Sequence, residues 1–132
     1  MSRRPSVVQM KDLTVDQVLA VHDSMIRERG GDRRVTSEAG LHQMVFQANL
    51  IPECIPRAAL VLYLVCAYPP FREGNEETAV VLSLDILVSG GYRMTGDPTG
   101  LENLAGGIRD FTIEQEDVEC WIREHTREWR NR

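Results

Sequence analysis

The sequence has no long apolar run. Its longest uninterrupted apolar stretch, Ala58 to Tyr68, is about half the ~20 residues that a membrane-spanning helix needs, so no membrane role is expected. Cysteine is scarce too. Cys54, Cys66 and Cys120 have no metal-ligand spacing, and an odd count cannot close into an all-intrachain disulfide framework. A reducing, cytoplasmic setting is the expectation. The opening MSRRPS is basic but has no apolar segment behind it, so it does not read as a secretory signal. Internal repeats and low-complexity tracts are absent. Lysine is nearly absent: 14 of the 15 basic residues are arginine, the better fork for carboxylate or phosphate. The formal charge of −5 and pI near 5.2 argue against a general nucleic-acid binder, while leaving room for local basic patches. Strand signals amount to one short hairpin pairing Gly91–Met94 with Arg33–Val35.

What is present suits one helical domain over residues 1–132, with 42% apolar residues to fill its core. Val15, Val18, Leu19, His22, Met25 and Ile26 follow the spacing of an amphipathic helix over 14–29, with Thr14 as N-cap and Gly30-Gly31 as the stop. Thr36 or Ser37 caps a second helix ending near Asn49, and Pro52 and Pro56 mark a stiff connection. Residues 57–67 read as apolar all round, which predicts a helix at the centre of a bundle. A fourth helix runs from about Asn75, as N-cap, to Gly90-Gly91. Val80, Val81, Leu84, Leu87 and Val88 form its apolar side, with Thr78, Asp85 and Ser89 on a solvated one. Asp97-Pro98 opens a short helix closing at Gly106-Gly107. Thr112 and Gln115 form a capping box for a last helix with the apolar stripe Val118, Trp121, Ile122, His125 and Trp129. The predicted fold is all-α, a compact bundle of five or six helices.

Between the third and fourth helices lies the segment YPPFREGNEETAVV, residues 68–81. A Gly-Asn turn running into a helix N-terminus presents unpaired N–H groups and the positive end of the helix dipole, which together favour anions. This loop nevertheless carries Glu73, Glu76 and Glu77. On that segment the chain resembles the Fic/Doc (death-on-curing) family, whose motif is His-Pro-Phe-x-Asp/Glu-Gly/Ala-Asn-Lys/Gly-Arg-Thr-Ala. LTVDQVLAVHDSMIRERGG is similar to the opening helix of the Doc branch, VTSEAGLHQMVFQ to its second helix, and LDILVSGGYRM to the segment after the motif. The resemblance covers roughly residues 13–126. It implies the Fic/Doc fold, transfer of AMP or phosphate from a nucleotide to a protein hydroxyl with Mg²⁺, and pairing with a small antitoxin.

Pro70, Phe71, Glu73, Gly74, Asn75, Thr78 and Ala79 keep the motif. The chemical positions do not. The family's histidine, its general base, falls at Pro69, and neither Pro69 nor Tyr68 can take a proton near neutral pH. The Lys/Gly and Arg positions, the Arg being the family's phosphate grip, are Glu76 and Glu77. These acids favour the helix N-terminus and repel an incoming phosphate by about 1 kcal/mol per charge pair at 4 Å in water.

The resemblance therefore implies a Doc-toxin-like protein without catalytic residues, whose loop residues Phe71, Gly74, Asn75, Glu76 and Glu77 act in binding. Its expected partner is an antitoxin-like or other protein, with no nucleic acid and no membrane. No cofactor is expected, ATP and Mg²⁺ entering only under the alternative of an active transferase with an unorthodox site. A third reading is a partner-binding module outside the family. Within the fold, Glu73 matches the family's metal-binding acid, and a divalent-cation cluster of Glu73, Glu76 and Glu77 is a rival account of the acids. It is weakened because consecutive helical residues point about 100° apart.

The remaining polar candidates have bland readings. His22 and His125 sit on apolar stripes as hydrogen-bonded core residues, His42 is exposed, and Asp85 belongs to the solvated stripe. Phe71 buries its ring to pin the loop, Cys66 is a small core hydrophobe, and Trp121 and Trp129 pack in the core or an interface.

Overall fold

The computed structural model describes residues 10–129 and is mostly helical. In chain order the elements are α1 (Val15–Arg29), α2 (Glu38–Asn49), α3 (Cys54–Ala67), α4 (Asn75–Ser89), β1 (Tyr92–Met94), α5 (Thr99–Arg109), α6 (Gln115–Glu124) and β2 (Thr126–Glu128). No helix among the described residues is long and apolar enough to cross a membrane.

The helix starts obey local chemistry. Thr14 caps α1 through a reciprocal box with Gln17, and Ser37 caps α2 by accepting from the Gly40 N–H. α3 starts earlier than the prolines suggested, with Pro56 inside its first turn, where a missing N–H costs nothing because that donor has no intrahelical partner. It packs most extensively on α4 and also touches α2, α5 and α6. One buried cluster draws on all six helices, with Val61, Leu62 and Val65 of α3 fully enclosed. Arg57 is the exception to that helix's apolar reading, and it too is buried.

Elsewhere the structure corrects the sequence reading. β1 pairs antiparallel with β2, Arg93 facing Arg127, rather than with residues 33–35. Val35 instead bridges to Phe71. α5 continues through Gly106-Gly107 to Arg109 and starts one residue late, Asp97 still accepting from the Thr99 N–H. The cap of α6 is Glu114 paired with Asp117, while the Thr112 hydroxyl donates to the Gly107 carbonyl. α6 stops at Glu124, so Trp129 is not on its stripe. It lies beyond β2, mostly exposed, under the Arg93 guanidinium. His125 is the C-cap of α6, half-buried and stacked on Trp121. On α4, Thr78 leaves the solvated stripe and is fully buried, whereas Val88 is exposed. A helix packed on two sides buries more than one stripe, and α4 meets both α3 and α1.

Candidate functional site

The loop between α3 and α4 is fixed from within. Gly74, at φ 79° and ψ 16°, is the N-cap of α4, displacing Asn75 from that role. A side chain at this left-handed position would be strained, and a Cβ would lie 3.1 Å from Ile26 Cδ1. Asn75 becomes the first helical residue and folds its amide back on the loop: Nδ2 donates to the Phe71 carbonyl (2.8 Å) and Oδ1 accepts from the Phe71 N–H (3.0 Å). The Phe71 ring is buried and stacks face to face on His22, centroids 3.6 Å apart. His22 Nε2 lies 2.7 Å from the Glu73 carbonyl; a carbonyl only accepts, so this nitrogen carries a proton and donates.

A strap before α2 closes the other side. The Thr36 and Ser37 N–H groups both donate to the Pro70 carbonyl, and the Arg72 N–H donates to the Arg34 carbonyl. Asp32 braces this strap. Hydrogen bonds from the Arg34 side chain, first, and backbone pull its carboxyl down to about 2.

Of the expected site residues, Phe71 and Asn75 are hydrogen-bonded to each other across Gly74, and His22 joins them by stacking on Phe71 and bonding the Glu73 carbonyl. Tyr68 and Pro69 are exposed beside it. His22 reaches the loop, yet at 2% exposure, with one ring face on Phe71 and Nε2 committed to Glu73, it offers no access to a target hydroxyl. His42 lies exposed on α2, and His125 spends Nδ1 on the Trp121 carbonyl.

The acids separate. Glu76 takes a hydrogen bond from Arg109 of α5 (2.8 Å), and Glu77 meets Arg29 of α1 (3.3 Å). Glu73 turns its carboxylate over Gly31. Among the described residues no group of three His, Cys, Asp or Glu side chains comes together to hold a metal ion. Beside the first turn of α4 runs an open groove of about 430 Å³, lined by Glu76, Glu77 and Glu102 with Met25, Val80 and Val81. Its charge favours cations over phosphate.

Sequence reasoning did not find the arginine partners, which lie 33 and 48 residues from their acids. Nor did it find the Asn75 bridge, whose only signal was an Asn four residues after Phe71. No family model matches the chain, and no curated protein matches it.

Proposed function

We propose that the chain is a Doc-toxin-like protein of the Fic/Doc fold that has lost nucleotide-dependent transfer to protein hydroxyls and acts through protein binding. The observation that carries this reading is the occupation of the first turn of α4 by Glu76 and Glu77, each held by an arginine from another helix. A helix start that would receive phosphate instead carries the protein's own carboxylates in its first turn. Support for the fold comes from α3, packed against four other helices, with the motif loop directly after it. Support for lost catalysis comes from Pro69 at the general-base position and from the enclosure of His22, the one histidine in contact with the loop. General-base loss alone removes about 10²–10⁴ in rate. The exposed Tyr68 and Pro69 leave contact surface where the family's chemistry would stand.

The test is an ATP titration with and without Mg²⁺, together with labelled-nucleotide incubation in a lysate. The unaltered protein is expected to do neither. Pro69→His with Glu76→Lys and Glu77→Arg is expected to gain nucleotide binding, because Phe71, Gly74 and Asn75 still shape the turn. Mg²⁺-dependent transfer by the unaltered protein would establish the active transferase instead. A folded triple variant with the loop intact and no gain in phosphate affinity would reject the inherited pocket.

A further inference from the structure

A second cleft, of about 550 Å³, opens at the other end of α4 between that helix, α1, the start of α3 and the segment before α1. Asp85, on its wall, is ten residues from Asn75, or about 15 Å along the helix, so the cleft is separate from the motif loop. Leu13, Val21, Leu82 and Ile86 give it an apolar lining, and its volume lies within the range of small-molecule sites. Lys11 and Asp12, also on its wall, add one charge of each sign.

Two charged side chains on its wall, one buried and one exposed, have no ion pair among the described residues. Arg57 is only 5% exposed, yet among the described residues no carboxylate pairs with it. Its Nε donates to the Ile51 carbonyl (2.9 Å) and its Nη1 to the Lys11 carbonyl (3.1 Å). These bonds orient the guanidinium without neutralising it, and Nη2 has no hydrogen-bond partner among the described residues. An enclosed charge is expensive unless a counter-ion meets it. Asp85 is exposed at the mouth of the cleft, has no ion pair or side-chain hydrogen bond among the described residues, and partial desolvation raises its carboxyl pKa. The two line one cleft but do not pair with each other. A ligand that satisfies both must therefore carry its charges at separate ends.

We propose that this cleft binds a small zwitterion with an apolar body, of the size of a dipeptide or tripeptide, its carboxylate on Arg57 and its ammonium on Asp85. A guanidinium fork matches a carboxylate with two parallel N–H bonds, and orientation by the Ile51 and Lys11 carbonyls limits the rotamer entropy lost on binding. Leu13, Val21, Leu82 and Ile86 take the apolar side chains. The site does not depend on the reading of the motif loop.

Calorimetric titration of the full chain with Leu-Val, N-acetyl-Leu-Val and Leu-Val amide tests the assignment. Leu-Val is expected to bind at one site, and each capped form roughly tenfold or more weakly, the scale of one lost charge-assisted contact. Asp85→Asn should weaken Leu-Val to the level of its acetylated form while leaving the acetylated form unchanged. Arg57→Gln should abolish the preference for the free carboxylate over the amide. If that variant fails to fold, because Arg57 also ties Ile51 to Lys11, the Asp85→Asn comparison and the amide on the unaltered chain still decide. Absence of saturable Leu-Val binding at millimolar concentration, equal affinity for all three peptides, or equal binding of 4-methylpentanoate, which has no ammonium, would each overturn the proposal.

Discussion

The two ends of α4 invert the expectation that a motif marks a working site. At its start, residues 71–77 look like an anion cradle, yet the central polar groups are spoken for: Asn75 by the Phe71 backbone, His22 by Glu73, Glu76 by Arg109 and Glu77 by Arg29. Near its end no motif appears, yet the exposed Asp85 and the buried Arg57 share a cleft, neither with an ion pair among the described residues. Unspent charge in a concave site is better evidence for a ligand than a loop whose charges are already paired.

The comparison breaks most severely if the motif loop is not a packed structural unit. Phe71→Ala removes a ring that is 2% exposed and stacked on His22. Its cost is expected at about 3–5 kcal/mol, a large part of the roughly 5–15 kcal/mol by which a domain is stable. Urea denaturation measures it, and a loss below about 1 kcal/mol would mean that the loop is held elsewhere.

A smaller effect sharpens the electrostatic side. Glu76→Lys with Glu77→Lys places two cations at a positive helix end, opposite Arg109 and Arg29. Each acid contributes about 0.3–1 kcal/mol to the helix start, and each exposed pair about 0–1 kcal/mol. The double variant should lose about 1–3 kcal/mol and recover part of that in high salt. A rise in melting temperature at low salt would instead identify a strained cluster of carboxylates.

Thr78 gives an effect of opposite sign. Its hydroxyl is fully buried without a hydrogen-bond partner among the described residues, and such a group costs about 1–3 kcal/mol. Thr78→Val keeps the shape and should stabilise by about 1 kcal/mol. Destabilisation in the same denaturation series would show that the hydroxyl does have a partner.

What the sequence disclosed follows from how far apart the interacting groups lie. Thr14 with Gln17 and Ser37 with Gly40 act within one turn, so both helix starts were readable. The pairing of Met94 with Thr126, and of Glu77 with Arg29, joins residues that only the fold brings together. Asn75 was misplaced as N-cap because Asn suits that role, while Gly74 supplied the left-handed backbone and freed Asn75 to hold Phe71. Arg57 escaped notice because it heads residues 57–67, whose ten following residues are all apolar, and the span was read as apolar all round. His22 was rightly read as a hydrogen-bonded core residue, although its carbonyl partner, 51 residues away, was not readable.

The smallest expected effect concerns the surface brace of the loop. Asp32 lies at the surface, half-buried, and its carboxyl is held at about 2 against an ordinary 3.8, first by the Arg34 side chain, then by the Arg34 backbone N–H. A carboxylate with a depressed folded-state pKa stabilises above its unfolded pKa and loses that contribution as pH falls through the folded value. The difference in stability between the unaltered chain and Asp32→Asn should therefore be constant above about pH 5 and shrink between about pH 4 and pH 2. Because the pair lies at the surface, with the Arg34 side chain exposed, the difference should stay well below that of Phe71→Ala. Denaturation at a series of pH values measures it, and hydrogen exchange at the Thr36 and Arg72 amides reports whether the strap on the loop loosens. A difference that grew as pH fell would place the stabilising state of Asp32 on the protonated side. A loss as large as that of Phe71→Ala would move the anchor of the loop from its buried ring to its surface charges.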